Sequence, residues 1–297
     1  MSSITRPSAW SSTKPLLVHL RLHYQLAFLS PLFIWGFTLG GARLTPRALI
    51  AFLAFHVCLY GGITAYNSYY DRDEGPVGGL RVPPRVTGAL LPFSLAVQAL
   101  GLVLAFDVGA AFVAVYVLVM LLSVLYSHPR FRLKARPVGA LVVVALGQGS
   151  VGFLAGWLAG DEPPHALLAA EPLLGLGVAT LSTVGLYPLT QLYQLEEDAA
   201  RGDKTFAVAF GADASFRFAF VCTLLAAGCV LPLAWRRFGS LDAGLLGVVF
   251  TTLLAVIERW RRRFVRNVER NFVVLHRLQW TLSLGMLGYM TLRIALS

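Results

Sequence analysis

The acidic residues of this chain are few, and eight of its fifteen gather in two short stretches. The first holds Asp71, Asp73 and Glu74, a few residues beyond Asn67; the second holds Glu196, Glu197, Asp198, Asp203 and Asp213, beyond Gln191 and Gln194. Each stretch follows a long apolar run. If the preceding helix continues through the first stretch, Asn67, Asp71 and Glu74 share one face at i, i+4 and i+7, and Asp73 points roughly 120° away. By the same geometry Gln191, Gln194, Glu197 and Asp198 share a face in the second. Oxygen-bearing faces at the ends of apolar helices suit a hard divalent cation. Mg²⁺ in particular is held by a few carboxylates together with water and substrate phosphate oxygens. A third segment runs Tyr126-Ser127-His128-Pro129-Arg130-Phe131-Arg132-Leu133-Lys134. Arg130 and Lys134 placed opposite a metal-bound diphosphate would neutralise the oxygens the metal leaves free and stabilise a leaving diphosphate. Arg132 and Arg136 read as charges that set membrane topology.

The elements that must position these groups follow from composition. Of 297 residues, 57% are hydrophobic and 13% charged, and the mean hydropathy is +0.68. A soluble domain carries about a quarter charged residues, and a disordered chain lacks this apolar mass. The apolar runs are continuous and of helix-spanning length, unlike the alternating segments of a barrel. The expected fold is an all-α integral membrane protein with nine transmembrane helices around a central cavity, near 24–41, 48–66, 89–106, 108–127, 138–160, 173–193, 214–234, 241–257 and 276–296. Residues 1–23 form an N-terminal segment and 24–297 a single membrane domain. The acid stretches follow the second and sixth helices, which hints at a four-helix unit used twice with a ninth helix appended.

The net charge of +10 could indicate nucleic acid in a soluble protein, but here the basic residues sit in short loops between spans, so no nucleic-acid partner is expected. Lys and Arg crowd the N-terminal segment and the even-to-odd connections, including Arg72, Arg81, Arg85, Arg130 to Arg136 and Arg259 to Arg270; Arg43, Arg47, Arg236, Arg237 and Arg293 lie on the other side. This bias puts the N-terminus in the cytoplasm and the C-terminus outside, and the expected location is the plasma (inner) membrane. The stretch from Arg259 to Arg270 reads as an anchor on anionic lipid. Cys58, Cys222 and Cys229 lack metal-ligand spacing and read as packing residues. Met1 to Pro15 lacks the apolar core of a cleavable signal peptide.

With these residues in place, the chain resembles the UbiA superfamily of intramembrane prenyltransferases. That family carries a motif of the form N-D-x-x-D-x-x-x-D after its second helix and D-x-x-x-D after its sixth. The matching residues here are Asn67-Ser68-x-x-Asp71-x-x-x-Gly75, and Gln194-x-x-x-Asp198 followed by the Gly202-x-x-Thr205-x-x-x-x-x-Gly211 stretch. Tyr126-Ser127 with Arg130 and Lys134 adds to the likeness. The resemblance implies Mg²⁺, a polyprenyl diphosphate, and transfer of its prenyl group to a hydrophobic or aromatic acceptor. It implies metal and diphosphate positions at Asn67, Asp71 and Asp198, and basic positions facing the diphosphate at Arg130, Lys134 and Lys204, with Tyr126 beside them. Asp71, Asp198, Arg130 and Lys134 are the expected catalytic set. Ser68, Gly75 and Gln194 replace three aspartates of the family pattern. Asp73, Glu74 and Glu197 lie next door, and Glu74 is the best placed to take over from position 75 on a continuous helix. The expected metal set is therefore Asn67, Asp71, Glu74, Gln194, Glu197 and Asp198.

Two other readings stand beside this one. A terpene cyclase of the same superfamily would quench the cation within its own chain. A transporter would need ionisable residues near the bilayer midplane and broken helices, whereas the mid-span polar residues here are His56, Gln98 and Gln148. The tyrosines near the cytoplasmic ends, Tyr24, Tyr66, Tyr69, Tyr126, Tyr187 and Tyr193, could stabilise a passing cation or form the interfacial aromatic belt.

The charge count yields a topological prediction. A cysteine placed at Gly75 or Gly202 should resist an impermeant thiol reagent in intact cells and react once the membrane is opened; labelling from outside would reverse the orientation.

Overall fold

The structure is a computed structural model that describes residues 9–296. Among those residues the chain is helical between its connections, and the β contact present is an isolated bridge between Val77 and Leu80. The elements are α1 (Ala9–His19), α2 (22–39), α3 (Pro46–Asp71), α4 (Leu90–Val108), α5 (Ala110–Ser127), α6 (Pro137–Ala159), α7 (Ala170–Thr190), the short α8 (Leu195–Ala200), α9 (Phe206–Arg237), α10 (Ser240–Arg262) and α11 (Val268–Leu296).

Seven of these, α3 to α7, α9 and α10, are long and apolar enough to cross a membrane. Together with the absence of strands among the described residues, this bears out the all-α membrane fold. The expected first and ninth spans are also helical, as α2 and α11. Polar residues dilute their apolar character, Gln25 and Ser30 in the first and Arg277, Gln279 and Arg293 in the last.

Where two helices meet without water to drive them together, close backbone approach must supply the attraction. α2 and α6 achieve it through glycines. A Cβ on Gly36 would lie 1.9 Å from the Phe153 carbonyl oxygen, and one on Gly156 would lie 1.8 Å from that of Phe33. Aromatic side chains then fill the flanks: Phe33, Phe37, Phe55, Phe112 and Tyr116 form one buried cluster and Trp35, Phe153 and Trp157 another. Several carry a polar tip that ties one helix to another's backbone. Trp35 donates to the Gly175 carbonyl at 3.0 Å, Tyr60 to that of Gly147 at 3.0 Å, and Tyr116 to that of Gln98 at 2.8 Å. The Gly147 carbonyl lies in a π-helical stretch of α6, Ala145–Ser150, and further π stretches occur at Gln25–Leu29 and Leu53–Tyr60. Such turns interrupt the regular ladder and release backbone groups for other partners.

Arg293 is half-buried in an ion pair with the buried Asp242. Its guanidinium meets Asp242 at 2.6 Å, Tyr289 donates to the same carboxylate at 2.6 Å, and the group stands over the Phe238 and Tyr289 rings, so α11 is tied to the start of α10. Before the bundle, α1 leads to Leu20, which packs in a small cluster with Ala65 of α3 and Leu90 of α4.

Two expectations about continuous helices fail. α3 ends at Asp71 because Arg72 adopts a left-handed conformation with φ 52° and its N–H bonds back to the Ser68 carbonyl. α7 ends at Thr190; residues 191–194 form a turn before α8. The α-helical faces drawn through Glu74 and from Gln191 to Asp198 therefore do not exist.

The glycine contact is directly testable. Gly156→Leu should destabilise the detergent-solubilised protein by about 3 kcal/mol or more, since a backbone carbonyl yields less readily than a side chain. Leu at Gly288, which meets no neighbour within 4 Å of its Cβ position, should leave the thermal midpoint nearly unchanged.

Candidate active site

Both acid clusters open into one cavity of about 890 Å³. Its body is apolar, with Trp35, Val230, Leu246 and Met286 among its walls, and its other end is strongly charged. Asp71, Asp73, Asp198 and Asp203 line that end, together with Arg21, Lys134 and Arg201.

The end of α3 supplies the first carboxylates. Asn67 and Asp71 lie one turn apart on the helix, and Lys134, from the loop after α5, reaches both: its ammonium donates to Asn67 Oδ1 at 2.8 Å and bonds Asp71 Oδ1. Ser127 also donates to Asn67 Oδ1, at 2.7 Å. Burial presses the Lys134 ammonium to a lower pKa, and the Asp71 carboxylate opposes that pressure. After the left-handed Arg72 the chain turns back, which brings Asp73 to the cavity with its side chain 4% exposed. Asp73 Oδ1 accepts from Arg201 at 2.9 Å, while Oδ2 is buried without a hydrogen-bond partner among the described residues.

The segment after α7 supplies the second set. Gln191 Oε1 accepts the Ala207 N–H at 3.0 Å, capping the start of α9, so this side chain has a structural task. Gln194 lines the cavity and donates to the Pro76 carbonyl at 3.3 Å. Asp198 is buried and its carboxyl is pushed up to about 6; burial is the main cause, Arg201 opposes it, and Asp203 and Glu197 add to it. Asp203 receives two donors from Arg132, at 3.0 and 2.8 Å, in the bidentate geometry that a planar guanidinium favours. Arg132 also stands 3.8 Å from Asp71.

Arg21 completes the site from the N-terminal side. Its buried guanidinium donates to Ser68 at 2.9 Å, and the loop after α3 folds over it. A Cβ on Gly78 would stand 2.2 Å from Arg21 Nη1, which with its φ of +43° explains a glycine at this turn. Burial lowers the Arg21 pKa, and Asp73 is the leading opposing charge. The non-glycine residues with positive φ among those described are Arg21, Arg72 and Arg132. All three lie at this mouth, where backbone strain of about 1–3 kcal/mol each is held in place by the surrounding contacts.

The structure thus brings together Asn67, Asp71, Tyr126, Lys134, Gln194 and Asp198. Tyr126 lines the cavity, bonds the Tyr187 hydroxyl at 2.8 Å and holds its ring 6.0 Å from the Lys134 ammonium. Glu197 is half-buried at the edge, 3.3 Å from Arg201. Glu74, Arg130 and Lys204 are exposed and off the cavity lining. Glu74 is excluded because the helix that would have aligned it ends three residues earlier. Arg130 lies in the turn after α5, where the chain has not yet come back to the acids, and Arg132 takes the inner position instead. Lys204 gives its backbone N–H to the Ala135 carbonyl while its side chain faces out. Asp213 also lies outside, paired with Arg217 and Arg261. Sequence reasoning missed Arg21, Asp73, Arg132, Arg201 and Asp203 as one network. Their charge was visible in the sequence, but the left-handed turns at Arg21, Arg72 and Arg132 carry no glycine to mark them.

The sequence model of the UbiA prenyltransferase family matches residues 29–282. The chain belongs to this family. Among its relatives, it is 25% identical over 252 residues to the protoheme IX farnesyltransferase of Aeropyrum pernix, covering 83% of this chain and 80% of that protein. It is 29% identical over 262 residues to the digeranylgeranylglyceryl phosphate synthase of Methanopyrus kandleri, covering 84% of this chain and 92% of the relative. The fold is shared with a UbiA homologue from Archaeoglobus fulgidus solved with DMAPP and Mg²⁺, with a TM-score of 0.73 at 20% identity over 96% of this chain and 100% of that one. The same homologue solved with GPP and Mg²⁺ gives a TM-score of 0.72 at 22% identity, covering 95% of this chain and 100% of that one. The UbiA chain described here is accordingly an integral membrane prenyltransferase.

The geometry of this UbiA site reverses the ranking of two neighbouring acids and of two neighbouring arginines. Asp73→Asn should impair prenyl transfer more than Glu74→Gln, and Arg132→Ala more than Arg130→Ala, each by about tenfold or more for loss of a charge-assisted contact. Equal or inverted losses in kcat/KM would contradict this arrangement.

Proposed function

We propose that this chain binds a polyprenyl diphosphate with its headgroup among the aspartates and its hydrocarbon in the apolar body of the cavity, and transfers the prenyl group to a hydrophobic or aromatic acceptor. The observation that carries this reading is the polarity of one continuous cavity. Seven charged side chains line one end and mostly apolar side chains enclose the rest, which matches an amphiphile with an anionic head. The two named relatives, a farnesyltransferase and a digeranylgeranylglyceryl phosphate synthase, support prenyl transfer and differ in the molecule each is named for.

The residues fit Mg²⁺ that is shared with the diphosphate. No group of three or more His, Cys, Asp or Glu side chains among those described is arranged to hold a metal by itself. Mg²⁺ does not need such a cage, since one or two carboxylates and phosphate oxygens suffice. The unpartnered buried oxygen of Asp73 fits such a role, with Asp71 and Asp198 as the other carboxylates, Asn67 and Gln194 as side-chain oxygens nearby, and Glu197 at the rim. When bound, the ion would neutralise negative charge gathering on the leaving diphosphate.

The chain's own residues account for the rest. Lys134 and Arg21 present positive charge to the headgroup. The allylic C–O bond breaks, its electron pair goes to the diphosphate oxygen, and the remaining allylic cation is met by the electron-rich faces of Tyr126 and Tyr187. The acceptor's π electrons or lone pair form the new bond to the allylic carbon, and the acceptor loses a proton. The apolar walls keep water from capturing the cation first. By the charge bias between loops, we place the site at the cytoplasmic face of the plasma membrane, with the N-terminus inside and the C-terminus outside, and treat 24–297 as one membrane domain behind a 1–23 segment.

Purified protein incubated with Mg²⁺ and a panel of prenyl diphosphates, with and without membrane extract as the acceptor source, tests this reading. Prenylated acceptor and free diphosphate are expected, with none in EDTA. Asp71→Ala and Asp198→Ala should each lower turnover by at least ~10²-fold while the protein stays folded. Product formed equally well without acceptor would instead mark a cyclase, and no diphosphate release with any prenyl diphosphate would reject the proposal.

A further inference from the structure

Arg201 stands where the two acid clusters meet. Its guanidinium lies 2.9 Å from Asp73, 3.3 Å from Glu197, 3.4 Å from Asp198 and 3.9 Å from Asp203. Asp73 belongs to the loop after α3, and the other three belong to the segment after α7. The side chain lines the cavity, and its Nε is buried without a hydrogen-bond partner among the described residues. A guanidinium has five N–H donors and keeps its charge at any working pH. A permanent cation is therefore built into the position between carboxylates of both clusters that a bridging divalent ion would need.

The pairing of charges around it is specific. Lys134 bonds Asp71, and Arg132 holds Asp203 with two donors. Asp73, Glu197 and Asp198 are left to share Arg201, and with the cavity-lining Arg21 counted, whose leading opposing charge is Asp73, the acids of the site exceed its bases by one. Without Arg201 the excess would be two, the charge of one divalent ion. Arg21, the other guanidinium lining the cavity, bonds the neutral Ser68 hydroxyl and also keeps a buried Nε without a partner, so it is available to an incoming anion.

We propose that Arg201 is a resident cation of this site that takes the place of one divalent ion, so that the chain binds diphosphate with a single Mg²⁺ and offers the free Nε–H of Arg201 to a diphosphate oxygen. The proposal rests on the prenyl diphosphate reading and adds to it which cations the headgroup meets. Gln194 agrees with it: an uncharged carboxamide stands where the family pattern implies an aspartate, and a site that holds a resident guanidinium needs fewer carboxylates for metal.

The test counts ions in the purified full-length protein in detergent, with inorganic diphosphate as the ligand and Mn²⁺ in place of Mg²⁺. Bound Mn²⁺ is obtained from the loss of the free-ion electron paramagnetic resonance signal at saturating diphosphate. One ion per bound diphosphate is expected in the wild type and in Arg201→Lys, which keeps the charge. Two are expected in Arg201→Gln, with at least a tenfold rise in the Mn²⁺ concentration needed for half-saturation of diphosphate binding. Two ions in the wild type, one in Arg201→Gln, or loss of diphosphate binding in Arg201→Gln at every Mn²⁺ concentration would overturn the role of Arg201. A wild type that binds no diphosphate would overturn the functional reading itself, and with it this one.

Discussion

Carboxylates at the end of an apolar helical bundle require cationic partners, and here each pair joins two segments that are distant in the chain. Asp71 at the end of α3 meets Lys134 from the loop after α5; Asp203, after α8, meets Arg132 from that same loop; Asp73 meets Arg201. Removing one member of a buried pair costs about 3–5 kcal/mol, chiefly because the other charge is left without compensation. The three loops are thereby held in one arrangement, and the cavity mouth inherits its shape from these pairs. The left-handed backbones of Arg21 and Arg132 follow from the same requirement, since each aims a guanidinium inward at a place where a relaxed turn would send it to solvent.

Away from the mouth the logic is steric. α2 and α6 touch through Gly36 and Gly156, where no side chain separates the backbones, and bulky aromatic residues fill the space on either side. Tight packing on that side leaves room elsewhere, between helices whose facing side chains do not meet. The result is a bundle dense around Phe55, Tyr60 and Phe153, which are almost wholly buried, beside an open chamber. Its charged mouth and apolar body orient an amphiphile before any chemistry begins, so packing and electrostatics determine the direction of entry together.

Much of this was legible in the chain itself. Long apolar runs can satisfy their backbone groups in lipid only as helices, which is why the spans near 48–66, 89–106 and 108–127 coincide closely with α3, α4 and α5. The clustering of scarce acids after two of those runs identified where the site lies, and the motifs carried by Asn67, Asp71, Asp198 and Thr205 identified the family. These are local properties: hydrophobic length and residue type do not depend on what packs against them.

Tertiary structure decided which members of each cluster face inward. A continuous helix would align Glu74 with Asp71, but α3 ends at Arg72, an arginine in a conformation usually left to glycine, and Asp73 takes the inner place. Arg130 and Arg132 are indistinguishable by charge, yet Arg132 alone of the two reaches an aspartate, one that lies 71 residues further along the chain. The physical reason is the same in each case. A left-handed turn at a non-glycine residue is unfavourable locally and is stabilised by ion pairs to distant segments, so the local sequence carries no mark of it.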